Sequence, residues 1–146
     1  MLATRSYPAA HVRAARDEIA AQIRAYRDLV GAASKASGMS LTRIDAALAA
    51  FEPAFFNNLL IALEMRFVHR LREVESEGAF PLDEVRMLAA SLVDNGGVLA
   101  PNPASRYNAG KAVLGIDIGD RIALNADDFE ALCTAFLAEI ERTFSA

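Results

Sequence analysis

Apolar side chains recur at helical spacing along most of the chain. At about 100° per residue, Val12, Ala15, Ile19, Ile23, Tyr26 and Val30 fall on one face. They predict a long amphipathic helix that starts near Ser6-Tyr7-Pro8, where proline suits the first turn, and runs to about Ala36. Residues Ser34 to Ser40 read as a linker, with Gly38 the natural stop. Ser40 then caps a short helix, Leu41 to Ala50, whose Leu41, Ile44 and Leu48 point the same way as Phe51. Further on, Leu82, Val85, Leu88, Ala89 and Leu92 mark an inward face between Pro81 and Asp94, and Asn95-Gly96-Gly97 ends that helix. The last helix follows Asn125 as its cap, with Asp127 and Asp128 in the first turn, where the helix dipole favours negative charge. Phe129, Leu132, Cys133, Phe136, Leu137, Ile140 and Phe144 give it the cleanest amphipathic pattern in the chain.

Residues 51–76 behave differently. Phe56, Leu60, Leu63, Phe67, Leu71 and Val74 form one continuous face, and Asn57, Ile61, Glu64, Met65 and Val68 a second. Only the strip through Arg66, Arg70, Glu73 and Glu77 reads as solvated. A helix apolar around most of its circumference belongs inside a protein or a membrane. Spanning a bilayer takes about 20 apolar residues, and Asn57, Asn58, Glu64 and Arg66 interrupt this run, which makes it a core helix. Pro53 fits its first turn and a corner after the short helix.

The fold expected is therefore mainly α, a single domain over 1–146 with about five helices bundled around a buried central helix at 51–76. A small β-hairpin is expected at 113–124, with Val113, Leu114 and Ile116 on one strand, Arg121 to Leu124 on the other, and Gly119-Asp120 as the turn. Residues 95–112 form a loop long enough to suggest a function.

Composition sharpens this only in places. The 53% apolar fraction overstates the core, because much of it is alanine, which gains little on burial. Abundant Ala and Arg beside only Lys35 and Lys111 point to a GC-rich bacterial genome. One cysteine excludes an intrachain disulfide, and the N-terminal stretch has no apolar signal core, so a cytoplasmic location is expected. Residues 1–72 carry a net charge of +4 and residues 73–146 one of −8. That asymmetry suits two halves facing each other within a chain or across a homodimer, and the overall charge of −4 makes nucleic acid an unfavoured partner.

Candidate chemistry is sparse. With only His11 and His69, a three-histidine zinc site cannot form, and no Glu-x-x-His, His-Glu-x-x-His, Cys-x-x-Cys or P-loop pattern occurs, so no metal or cofactor is expected. Asp117 to Asp128 fails as a calcium loop, because Gly119 and Arg121 stand where oxygen ligands belong. Asn57 and Glu64 are polar groups on an otherwise buried helix, and such groups must be paired. Glu64 is expected to meet an arginine from a neighbouring helix; the sharper alternative makes it a proton-transfer group. His69 is placed to pair with Glu73. The weak catalytic candidates are Glu64, His69 and Arg72, with Asn57, Arg106, Tyr107 and Asn108 as ligand-binding candidates. On the first helix Arg13, Arg16, Arg24 and Arg27 form a stripe that can serve as an anion-docking surface, or simply as a solvated face with Arg13–Asp17 and Arg24–Asp28 pairs.

The runs FEPAFFNNLLIALEMRFVHRLR, PLDEVRMLAASLVDNGGVL and VLGIDIGDRIAL resemble a group of small bacterial proteins of unknown function, over about residues 51–144. The resemblance implies a shared fold and no chemistry. Three functional expectations follow from the residues: an interaction or scaffold protein acting as a homodimer; a small-molecule-binding protein or cofactor-free enzyme near Glu64, His69 and the 95–112 loop; and an anion or nucleic-acid binder using the arginine stripe.

Overall fold

The computed structural model describes residues 3–36, 41–70, 72–75, 80–105 and 107–145. Four α-helices are seen among them: α1 (Ala9–Ala36), α2 (Leu41–Arg66), α3 (Phe80–Asp94) and α4 (Ala126–Phe144), with a 3₁₀ turn at Arg72–Val74. The protein is mainly helical. α1 runs antiparallel to α2 and to α4: Tyr26 lies against Phe56 while His11 reaches the Arg66 carbonyl, and Arg16 pairs with Glu141 while Arg27 pairs with Asp127. The inward face of α1 is the one its periodicity marks, with Val12, Ala15, Ile19, Ile23 and Tyr26 all buried. Asn125 and Asp128 form a reciprocal capping box at the start of α4.

Two expected features take another form. The short helix and the central helix are one continuous element, α2, with Pro53 inside it rather than at a corner. A proline can sit within a helix when tertiary packing outweighs the lost hydrogen bond, and here Phe56, Leu60 and Leu63 just beyond it are fully enclosed. At its other end α2 stops at Arg66, ten residues before the expected 76. The chain turns there because Phe67 N and Arg70 N bond back to the carbonyls of Glu64 and Phe67. The cap proposed at Ser40 lies outside the described residues.

The second correction is the hairpin. Residues 113–124 form no strands among the described residues; the pairing is redirected. Leu99 N donates to Asp120 O, Gly119 N to Leu99 O and Ile122 N to Gly97 O, giving an isolated Val98–Arg121 bridge to the segment after α3. The other half of the supposed hairpin is held by a side chain, since Val113 N and Leu114 N both donate to Glu84. Gly97 and Gly119 carry positive φ at the two turns this needs.

Aromatic contacts tie the helices together. Phe67 meets Tyr7 and Phe136 edge-on, and Phe56 joins Tyr26 to Phe129. The N-terminal segment crosses the end of the bundle as a strap: Thr4 N donates to His69 O and Tyr7 N to Phe144 O.

Candidate functional site

The face of α2 turned to the bundle is closed, with Phe56, Leu60, Leu63 and Phe67 excluded from solvent. The opposite face is not covered. Phe51 is 47% exposed and Met65 63%; Ala54, Asn58 and Ala62 between them are exposed as well, as is Ala47 one turn before Phe51. No described residue from 42 to 50 is buried, although Leu48 packs against the core and Phe51 stacks on Tyr26 of α1 with its outer side open. The expected burial therefore holds for the face of Phe56, Leu60, Leu63 and Phe67, whereas on the second face Met65 and Val68 are exposed. By length and composition alone, Thr42–Arg66 is apolar enough to cross a membrane, which is weak evidence for a helix whose inner face packs in a core.

The polar groups of α2 divide by angle. Asn57 points to the bundle edge, where its amide donates to Ile122 O (3.0 Å) and accepts from Leu124 N (3.1 Å). It is a clamp on the segment leading into α4. Asn58, one residue and about 100° further round, faces outward.

Glu64 sits in a buried ionic cluster beyond the end of α2. Arg70, expected on the solvated strip, is 4% exposed and stands at the centre. Its guanidinium is 2.6 Å from Glu64 and 3.1 Å from Glu75, donates to the Phe67 and Leu82 carbonyls, and stacks over Phe136 at 5.2 Å. Arg86 bonds Glu75 and Asp83, and Arg72 reaches Asp83 at 3.5 Å and the Ala104 carbonyl at 2.7 Å. Burial lowers the Arg86 pKa, but Glu75, Glu64 and Asp83 raise it further and leave it above its ordinary value. Among the described residues, three guanidinium groups thus face three carboxylates. The cluster holds the corner between α2 and α3.

Of the weak catalytic candidates, Glu64 and Arg72 share the ionic cluster and His69 does not join them. His69 is exposed, and among the described residues no hydrogen bond or ion pair joins Glu64 to His69 or to Tyr107 and Asn108. Tyr107 donates its hydroxyl to Ile116 O, and burial with the nearby Glu84 and Asp117 charges pushes its pKa up to about 12. Asn108 accepts from Gly110 N within its own turn. Arg106 and the Glu73 side chain lie outside the described residues.

The arginine stripe is split. Arg16 and Arg27 pin α1 to α4 through Glu141, Asp127 and Glu130, while no ion pair of Arg13 or Arg24 is seen among the described residues. The expected pairs Arg13–Asp17 and Arg24–Asp28 do not form; these side chains are exposed, where an ion pair gains little over solvent against the entropy of holding two long side chains. Hollows of about 260 and 320 Å³ lie along the α1–α4 seam, the second floored by Ile19, Ile23, Cys133 and Leu137. Two others, of about 270 and 220 Å³, lie beside Glu52 and beside Pro101. None of the four is lined by Glu64, His69 or Arg72. Among the described residues no group of three or more His, Cys, Asp or Glu side chains could hold a metal.

The periodicity argument did not single out Glu84, Glu75, Asp83 or Arg86. A signal was there: Asp83 and Glu84 fall between Leu82 and Val85 on an inward-facing turn, and Asp83 and Arg86 are three apart. Comparisons with family models, curated proteins and solved structures give no match to this chain.

Proposed function

We propose that the chain is a helical interaction protein of the bacterial cytosol that works as a homodimer, docking through the outer face of α2. The observation that carries this reading is the uncovered apolar strip from Phe51 to Met65, on a helix whose other face is fully packed. Exposed apolar residues scattered singly need no explanation, whereas a continuous strip marks a surface that another molecule covers. Only Asn58 interrupts it with a polar group, and no charge falls on it.

The other readings have less behind them. Glu64 has its counter-charge in Arg70 and opens onto none of the four hollows, so a ligand or reaction there lacks a place to sit. An anion surface on α1 keeps only Arg13 and Arg24, since Arg16 and Arg27 are engaged. The test is sedimentation velocity from low to high micromolar concentration. Twice the chain mass is expected at the upper end, reduced to the chain mass by Phe51→Lys with Met65→Lys. A monomer throughout removes the reading.

A further inference from the structure

We propose that two copies join through a parallel pairing of their α2 helices, in register at Asn58; this rests on the homodimer reading and adds its geometry. The spacing along the bare face is a heptad. Ile44, Phe51, Asn58 and Met65 are seven residues apart, and Ala47, Ala54 and Ile61 follow each of the first three at plus three. These are the a and d positions of a coiled-coil seam. The described exposure agrees: Ala47, Phe51, Ala54, Asn58 and Met65 are open, and Ile44 and Ile61 are half-covered at the margins. Pro53 falls about 140° away from Asn58 on the helix, so its ring stays off the seam.

A second copy fits this strip better than a lipid surface or an unrelated chain. A single asparagine at an a position pairs with its own counterpart and sets the register, because any shift leaves two amides against apolar groups. A bilayer offers Asn58 no partner. In a parallel pairing the exposed Ala47 and the open edge of the half-buried Ile44 meet the same residues of the second copy. Ile44 to Met65 spans about 32 Å at 1.5 Å per residue. At roughly 10 Å width that is on the order of 300–400 Å² per copy, below the ~800 Å² of a standard partner surface, which fits association at micromolar concentration and above.

The experiment uses the full chain carrying Ala47→Cys or Asn58→Cys under mild oxidation, with the unaltered chain as control because its Cys133 is buried. Both variants are expected to form a covalent dimer, and Asn58→Lys to weaken association at least tenfold in sedimentation. In an antiparallel pairing about Asn58, position 47 lies about 33 Å from its counterpart, so only Asn58→Cys would cross-link. A dimer by sedimentation with no Ala47→Cys cross-link therefore overturns the parallel geometry and leaves the homodimer reading standing. A monomer at high micromolar concentration overturns both. Co-flotation of the unaltered chain with phosphatidylcholine vesicles, lost in Met65→Lys, overturns the pairing in favour of a lipid surface.

Discussion

Replacing Arg70 with alanine removes the centre of the buried cluster, and its cost can be worked from the contacts. Arg70 makes hydrogen bonds to Glu75, Glu64, Phe67 O and Leu82 O. Glu75 keeps Arg86 as a partner after the change. Glu64 loses the cation it pairs with and remains at the end of a packed helix. Breaking a buried pair from one side costs about 3–5 kcal/mol, most of it from the stranded charge, and the two carbonyls add to it unless water reaches them. For a domain of this length that lowers the melting temperature by roughly 6–20 °C, and it is a large share of a total stability of about 5–15 kcal/mol. Thermal melts followed by circular dichroism, with urea titration at fixed temperature, measure it. Arg142→Ala is the control: it removes an exposed pair with Glu139 and should leave the melt in place. An Arg70→Ala melt within two degrees of the unaltered chain would refute the reasoning, because the cluster would then be solvated in practice.

Three further outcomes are expected. Burial raises the Glu84 carboxyl above the usual carboxylate range, against the two backbone donors that lower it. The native state therefore holds that proton more tightly than the unfolded one; the contribution is fully present below the unfolded pKa of about 4.3 and is lost as pH rises through the folded value. Relative to Glu84→Gln, the unaltered chain should gain stability on acidification through that window, and a pH-independent difference in urea midpoint would refute this. Asn57→Ala strands Ile122 O and Leu124 N and should cost about 1–3 kcal/mol, with faster amide exchange at Leu124. Burial, with Glu130 nearby, pushes the Cys133 thiol well above its ordinary pKa, so a thiol reagent should label it only as fast as the chain unfolds.

The inward faces of α1 and α4 were legible because each is amphipathic with one side in solvent; α3 is buried on nearly all sides, so that Asp83, Glu84, Met87 and Ser91 were not read as inward. Legibility failed where partners are distant in sequence. The 113–124 segment alternates like a hairpin, but Glu84 satisfies one half of its backbone and the Gly97–Leu99 segment the other. Local pattern cannot reveal a competitor thirty residues away. Arg70 was read as solvated by extending a helical wheel past Arg66, where the helix has already ended. Its neighbour Phe67 remains on the buried side, and the turn that follows swings Arg70 in behind it. Of the candidate site, the pairing of Glu64 with an arginine was legible, although the arginine is Arg70 in the turn after α2 and not one from a neighbouring helix. Arg72 joins that cluster through Asp83, while among the described residues no bond ties His69 or the 107–108 turn to it.

The ionic corner and the bare strip answer different questions about α2. A buried ionic cluster of this kind is poor at adding stability over an apolar one of equal volume. Its value is directional. Arg70 reaches Glu64 on α2, Glu75 beyond it and the Leu82 carbonyl on α3, so the two helices can meet at one angle without stranding a charge. Fixing that angle holds the inner face of α2 against α3 and α4, which leaves the strip through Phe51, Asn58 and Met65 facing outward on a rigid rod. Replacing Glu64 and Arg70 together by Met and Leu removes one charge of each sign and leaves Glu75 with Arg86, so it should cost less stability than Arg70→Ala alone while weakening self-association. A docking surface held by the corner requires both halves of that result, and association unchanged in the double variant would separate the two features.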